Sequence, residues 1–463
     1  MNEPVKLAPR LRARERVVAH VDSPTARWIG ALAVLSLFCW LIVLLTHDHD
    51  RNWQAAGRLA WSLTILTAVA LIARGIFLGR PVTAAHAWLA LAAVLAGLAA
   101  HVLVFDLLGN LLIASAGAVL MWPTSARPNP DLHRIWALVD VTRGDPLAPF
   151  AMQDLKCYHF SDDGTAAIAY RTRMGYAVVS GDPIGDEAQF ADLVADFAAM
   201  CHTRGWRLVV LGCSRRRLDL WADATVLGQT LRAVPIGRDV VIDVATFDMV
   251  GRKYRNLRQA VQRTQNAGIT TEVVDEQEID DHLLAELTDV LLTSPKGART
   301  ERGFSMCLDG ALEGRYPGVQ LIIARDKHGR VQGFHRYATA GHGSEVSLDV
   351  PWRRRGAPNG IDERLSVDMI AWAREHGTKQ LSLAFAAFPE IFNDKNRGRI
   401  SSLIYTAIHL GDALIALESL YRYLRKFQAL GDRRYVMASL TQVLPLLVAL
   451  LSLEFMPRRR RLG

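Results

Sequence analysis

Hydrophobic and polar positions divide this chain of 463 residues into two unlike parts. From about residue 28 to 122 the sequence is almost uncharged, and nearly all Asp, Glu, Lys and Arg lie outside that stretch. Trp28 to Thr46 is a run of 19 apolar or small residues. A second run, Ala60 to Ala73, sits inside a longer weakly polar stretch, and both approach the ~20 residues needed to cross the hydrocarbon of a bilayer. Ala84 to Trp122 is roughly twice a single span, with His101, Asp106, Gly109 and Asn110 in its middle. It predicts two short helices around a tight turn, or else one long kinked helix.

Beyond "PTSARPNP", Pro123 to Pro130, a linker by its proline content, short apolar runs alternate with helical periodicity. "AAIAYRT", "YAVVSGDPIG", "RLVVLGC" and "VVIDVATF" read as strands, and "FADLVADFAAMCHTRGW" as an amphipathic helix. The order then loosely repeats. "DHLLAELTDVLLT" is helical, "VQLIIARDKHGRVQGFHRYATA" has the form of a hairpin turning at His328 to Arg330, and "GSEVSLDV" is a strand. "GIDERLSVDMIAWAREHG" is a helix closed near Gly377, followed by the strand "QLSLAFAAF". Hairpins mixed with helices predict an α+β fold. The resulting plan is a basic tail over 1–27, a membrane region of about four helices over 28–122, and half-domains over 131–270 and 271–436. Residues 437–463, ending in four arginines after Pro457, form a membrane-associated helix with a basic tail; an interfacial helix fits better than a fifth span.

Charge adds orientation and partners. Lys6, Arg10, Arg12, Arg14, Arg16 and Arg27 place the N-terminal tail in the cytoplasm, "HDHDRN" outside, and Arg74 and Arg80 inside again. Four spans then leave the large polar region cytoplasmic. A signal peptide is not expected, because the charged tail is long and no small-residue cleavage site follows it. The five cysteines show neither CxxC nor metal-ligand spacing, which suits a reducing compartment. A net charge of +8 and a pI near 9.4 call for anionic partners, with membrane lipid and nucleic acid both candidates.

Three stretches could carry chemistry. "GRKYRNLRQAVQRTQNAG", Gly251 to Gly268, has five basic residues and no carboxylate. On a helix Arg255, Gln259 and Arg263 fall four apart, with Arg258 and Gln262 continuing that side, so one face presents only donors suited to phosphate oxygens. In "SLDVPWRRRGAPNGIDERL", Asp349 ends a strand beside Arg353, Arg354 and Arg355, and Asn359-Gly360 turns into a helix with Asp362 in its first turn. That carboxylate suits ammonium positioning or proton transfer, or else local ion pairing. "YRYLRKFQALGDRRY" reads as a helix burying Tyr421, Leu424 and Phe427, its bases forming a wet face or meeting lipid phosphate. "HDHD" at His47 to Asp50 and "GDPIG" at Gly181 to Gly185 read as a polar loop and a turn, and no P-loop, GxSxG, HExxH or kinase signature occurs.

The same stretches, with "GFSM" at Gly303 to Met306, come in the order and spacing of the catalytic domain of bacterial phosphatidylglycerol lysyltransferases, the multiple peptide resistance proteins. The chain resembles that family over about residues 133 to 440. The resemblance implies two acetyltransferase-type folds in tandem. It also implies transfer of lysine or alanine from aminoacyl-tRNA to the glycerol hydroxyl of phosphatidylglycerol at the bacterial inner membrane, with no metal or redox cofactor. It matches Asp349 to the acid of an Asp-Leu-Met-Arg motif whose arginine is here either displaced to Arg353 or replaced. It fits Asn359, Gly360 and Asp362 to a Pro-Asn-Gly turn and the acid after it, and Lys426 and Arg434 to basic positions of a closing Phe-Lys-x-Lys-Phe and Arg-Tyr pattern. Trp352, Leu424 and Arg238 depart from the family pattern, and neither the long flippase bundle nor a fused lysyl-tRNA synthetase domain is present in the sequence. The expected roles are therefore catalysis at Asp349, Arg353 and Asp362, and substrate binding at Arg255, Arg258, Arg263, Asn359, Gly360, Lys426 and Arg434. The alternatives are a same-fold acyltransferase with another donor, such as acyl-CoA, and a non-enzymatic protein that binds anionic lipid.

Overall fold

The computed structural model describes residues 17–19, 24–47, 55–77, 81–294, 300–301, 303–305, 307–387, 421–439, 443–455 and 458–459. The polar loop expected at His47 to Asp50 lies, beyond His47, outside the described residues. Two compact units emerge: residues 1–125 with 199–207, and residues 126–198 with 208–463.

The first unit holds four helices, α1 (Pro24–His47), α2 (Ala55–Phe77), α3 (Ala84–Val102) and α4 (Asp106–Met121). The third apolar block is thus two helices around a turn at 103–105, and Thr83 starts α3 by accepting the His86 N–H. Helices α2 and α4 meet closely at Gly117, where a Cβ would stand 2.5 Å from the Ala68 carbonyl oxygen. Among the described residues α3 alone is long and apolar enough to cross a membrane, and Trp88, Leu91, Leu95 and Leu98 stand exposed along it. At 16 residues, α4 is short for a span.

The second unit is built on one large sheet. Its strands are β1 (Cys157–Phe160), β2 (Ala166–Arg173), β3 (Tyr176–Ser180), β4 (Arg207–Ser214), β5 (Arg232–Asp243), β6 (Thr270–Asp275), β7 (Val319–Arg325), β8 (Val331–Ala340), β9 (Glu345–Arg353), β10 (Gln380–Ala387) and β11 (Leu430–Ala438). They lie in the order β1-β2-β3-β4-β11-β5-β10-β9-β8-β7-β6. Helices α5 (Leu132–Val141), α6 (Phe190–Thr203), α7 (Arg255–Asn266), α8 (Asp281–Thr293), α9 (Ile361–Glu375) and α10 (Val443–Phe455) complete it. The expected α+β class is therefore the observed one, hairpin β7–β8 included.

Two features differ from the sequence reading. Strand β11 comes at the end of the expected second half yet pairs with β4 and β5 of the first. And "YRYLRKFQALGDRRY" is not one helix: its helical turns end at Phe427, Gln428 takes a left-handed conformation, and the rest is β11. The open slot between β4 and β5 offers ladder hydrogen bonds on both sides, which outweigh local helical periodicity. Tyr421, Leu424 and Phe427 are nevertheless buried, in a core shared with Tyr254, Leu257, Ile361 and Leu365. Phe427→Ala is expected to cost about 3–5 kcal/mol by leaving a cavity there. Arg425→Ala, at an exposed neighbour, should stay within about 0.5 kcal/mol; thermal unfolding midpoints of the two variants check the contrast.

Candidate functional site

Helix α7 buries Leu257, Ala260, Val261 and Thr264, and this alone fixes what it shows. Arg255, Arg258, Gln259, Gln262 and Arg263 are exposed, with Arg252 and Lys253 just before them. Arg258 turns inward to donate to the carbonyls of Met249 and Gly251, the latter at 2.8 Å. Arg252, Arg255 and Arg263 have no carboxylate partner among the described residues. The N-terminus of α9 abuts α7: Gly360 has φ +100°, and a Cβ there would lie 2.7 Å from the Ala260 carbonyl oxygen.

The first turn of α9 gathers further sequence-flagged residues. Asp362 lies 3.2 Å from His335 Nε2 and 3.4 Å from Arg353. Lys426 donates to Glu363, and Asn359 is exposed at the turn. Gly360, Asp362 and Lys426 thus lie at the start of α9, with Arg353 paired to Asp362 and Asn359 exposed beside them, whereas Arg255 and Gln259 stand on the side of α7 opposite the one that packs on α9. Asp362 and Glu363 are both paired.

Asp349 is elsewhere. On the β8–β9 ladder Arg336 faces Val350 and Tyr337 faces Leu348, so Asp349 is the extra residue of a β-bulge. Its Oδ2 accepts from Arg336 at 3.0 Å and its Oδ1 from the Leu308 N–H at 2.9 Å. Arg336 also donates to Glu276 at 2.8 Å, and Glu276 accepts the Leu312 N–H at 2.7 Å. All three side chains are fully buried. The expected grouping of Asp349 with Arg353, Arg354 and Arg355 is corrected: Arg353 pairs with Asp362, and the buried Arg354 donates to the Val331 carbonyl at 2.7 Å and pairs with Asp289. Asp349 does not end the strand as expected, since β9 runs on to Arg353, and the bulge turns it toward Arg336. One guanidinium cannot neutralise two buried carboxylates. Burial pushes the Asp349 carboxyl up to about 7, with Arg336 and the Leu308 N–H pulling the other way.

Arg434 is also corrected. It is 2% exposed and donates to Asp239 and Asp145, each at 2.7 Å, and to the Gly212 carbonyl at 3.2 Å, with Asp182 at 3.7 Å. Its donors are used internally, so it is not placed to reach an external phosphate. Gly212 is again the extra residue of a bulge, between Val436 opposite Leu211 and Tyr435 opposite Cys213. Burial pushes the Asp182 and Asp239 carboxyls up, against the pull of Arg434. The Asp145–Asp182 end opens on a small cleft lined by Thr142, Gly144, Ser214 and Arg216.

Sequence reasoning missed Arg336, Glu276, His335, Asp145, Asp182 and Asp239. One signal was legible: Arg336 stands inside the apolar strand "VQGFHRYATA", where an arginine is buried only if paired. Its acidic partners come from segments far apart in sequence and carry no local mark.

Comparison with known proteins agrees with this architecture. The model of the phosphatidylglycerol lysyltransferase C-terminal family matches residues 136–438. An MprF-like domain protein of Mycobacterium tuberculosis is 68% identical over 458 residues, covering 98% of this chain and 95% of that protein. The lysylphosphatidylglycerol biosynthesis bifunctional protein LysX of Gordonia bronchialis is 30% identical over 353 residues, covering 73% of this chain and 30% of its own length. LysX of Rhodococcus jostii is 29% identical over 412 residues, covering 86% and 34%. The chain therefore spans about a third of these LysX relatives. Among solved structures, L-PGS from Bacillus licheniformis has a TM-score of 0.60 at 20% identity, covering 71% of this chain and 97% of that one. The C-terminal DUF2156 domain from Agrobacterium fabrum has a TM-score of 0.59 at 23% identity, covering 71% and 99%. Both share the fold. By the sequence pattern running from residue 136 to 438, this chain belongs to the phosphatidylglycerol lysyltransferase C-terminal family.

Proposed function

We propose that this chain transfers an aminoacyl group, lysyl or alanyl, from aminoacyl-tRNA to the headgroup hydroxyl of phosphatidylglycerol or a related lipid at the bacterial inner membrane. The observation that carries this is the carboxylate-free outer face of α7, where Arg255 and Arg263 stand exposed without carboxylate partners among the described residues. Family membership and the lysylphosphatidylglycerol biosynthesis for which the LysX relatives are named support it. We read the halves of the second unit as acetyltransferase-like, facing the cytoplasm, and the four N-terminal helices as a multi-pass anchor.

In this reading both reactants bring phosphate. Arginine forks on α7 and the Lys426 ammonium bind phosphate of the tRNA acceptor end or of the lipid. The ester of a charged tRNA is already activated, so alignment supplies much of the rate. The lipid hydroxyl oxygen bonds to the ester carbonyl carbon, and a tetrahedral oxyanion forms. Its collapse breaks the bond to the tRNA ribose oxygen. The hydroxyl proton passes to Asp349 and then to that departing oxygen. Asp349 is fully buried with both oxygens bonded, so in this reading the hydroxyl reaches it only by displacing the Leu308 N–H from Oδ1.

Lipids extracted from cells with and without the protein should differ by a ninhydrin-positive species whose formation in vitro is abolished by ribonuclease. Survival of the reaction after ribonuclease, with acyl-CoA as donor, or absence of any such lipid, defeats the reading. Arg255→Gln and Arg263→Gln, both at exposed positions, should leave stability unchanged and each weaken substrate binding by roughly ten- to a hundredfold, as for a charge-assisted hydrogen bond of roughly 1.5–3 kcal/mol. Separate KM values for charged tRNA and lipid tell which phosphate each arginine meets.

Asp349 sets a pH dependence. Ionised Asp349 is required as base, so kcat/KM should fall as pH drops below about 7, and Asp349→Asn should lose on the order of a hundredfold or more. Stability runs the opposite way. The fold binds this proton more tightly than the unfolded chain does, so its contribution is lost as pH rises from the ordinary carboxylate value through about 7. Urea titrations across that window should show a shallower decline for Asp349→Asn than for the parent.

A further inference from the structure

The C-terminal helix α10 has two apolar faces, and the fold uses only one. Leu446, Ala449 and Leu453 are buried against Tyr176, Val178, Val209, Leu211, Phe304 and Val436, with Leu450 packed beside them. On the opposite side Leu444, Leu447, Val448 and Leu451 are exposed, at 73%, 48%, 46% and 46%. Both sets follow i, i+3, i+4, i+7 spacing, offset by two residues, which places them on opposed stripes of the helix. A helix apolar on both sides is not finished by packing one of them, because the outer stripe leaves four large aliphatic side chains in water.

The outward face is also held in a fixed direction. Glu454 accepts from the Phe304 N–H at 3.0 Å, the Ser305 N–H at 3.1 Å and the Ser305 hydroxyl at 2.6 Å, and the Gly303 N–H donates to the Glu454 carbonyl at 3.1 Å. Arg173 Nε donates to Ser452 Oγ at 3.2 Å, bringing the β2–β3 turn alongside, where Met174 is 47% exposed. Pro445 falls in the first turn of α10, where no backbone donor is missed. The helix is therefore a rigid rib of the second unit.

We propose that the outer stripe of α10 is seated in the interface of an anionic bilayer, lying in the membrane plane. Thirteen residues make a helix of about 20 Å, too short to cross the hydrocarbon. The sequence that follows, "PRRRR" at Pro457 to Arg461, supplies positive charge where the apolar stripe ends, which matches an anionic headgroup layer and not a second apolar protein surface. The seat places the part of the sheet that carries β3, β4 and β11 near the lipid. It does not depend on the transfer reaction, and it stands or falls on its own measurement.

The full chain is reconstituted in nanodiscs of equal parts phosphatidylglycerol and phosphatidylcholine, with Cys39→Ser and Cys307→Ser removing the accessible native thiols. Nitroxides are attached at Leu447→Cys, Leu451→Cys and, as an exposed control, Val226→Cys, and their collision rates with oxygen and with a polar nickel chelate are measured. The expected result is an oxygen-to-chelate ratio several-fold higher at 447 and 451 than at 226. It should decline in phosphatidylcholine alone and when Arg458, Arg459, Arg460 and Arg461 are replaced by Gln. Equal ratios at all three positions overturn the proposal, as does dipolar broadening between labels at 447, which would mean that a second copy covers the stripe. Ratios indifferent to lipid charge and to the arginines overturn the anionic part. The substituted side chains point outward, so the packing of Leu446, Ala449 and Leu453 is untouched.

Discussion

The second unit is organised around two buried arginines, each outnumbered by the acids that hold it. Arg336 and Arg434 sit inside the sheet, one held by Glu276 and Asp349, the other by Asp145, Asp182 and Asp239. Removing one member of such a pair leaves an uncompensated charge in low dielectric, which costs about 3–5 kcal/mol. Burial first, and the neighbouring Glu276 charge after it, push the Asp349 carboxyl up to about 7 against the pull of Arg336. Each arginine also ties together segments that the chain order leaves far apart. Arg336 joins β8 and β9 to the turn after β6 and to the 308–312 segment; Arg434 joins β11 to β5, the 145 loop and the 182 turn.

Both hubs stand at β-bulges, and the bulge is what makes them possible. A regular ladder would send alternate side chains to opposite faces and leave Asp349 directed by its neighbours. One extra residue breaks the alternation, so the carboxylate turns to Arg336. At the other hub the extra residue is Gly212, whose carbonyl becomes available to Arg434. Charge that is balanced inside the sheet contrasts with charge left unbalanced on α7. There Arg252, Arg255 and Arg263 repel one another on one surface, a cost that solvent screening keeps small and that a bound polyanion would reverse.

Strand β11 binds the halves into one object. Because it enters between β4 and β5, the two halves close the ladder jointly, and the chain after it is delivered to the far side as α10. Through Glu454 that helix holds the segment beginning at Gly303, whose later residues Leu308 and Leu312 hold the carboxylates around Arg336. The C-terminal helix and the Arg336 cluster are thus joined through one segment whose two ends are fixed by backbone N–H groups donating to carboxylates.

By itself the sequence determined what depends on short spacings. The four apolar helices, the hairpin at His328 to Arg330, the buried side of α7 and the cluster of Tyr421, Leu424 and Phe427 all follow from periods of two or 3.6 residues. The donor-only face of α7 follows in the same way. Tertiary structure decided which charged residues met. Nothing near Asp349 in sequence announces Arg336, and nothing near Arg434 announces Asp145, because buried ion pairs are selected by strand register and bulges over separations of 13 to 289 residues. For the same reason three adjacent arginines after Asp349 were a misleading neighbourhood. Residues close along a strand's end can face different layers of the fold, and proximity along the chain says little about which dielectric a charge will occupy.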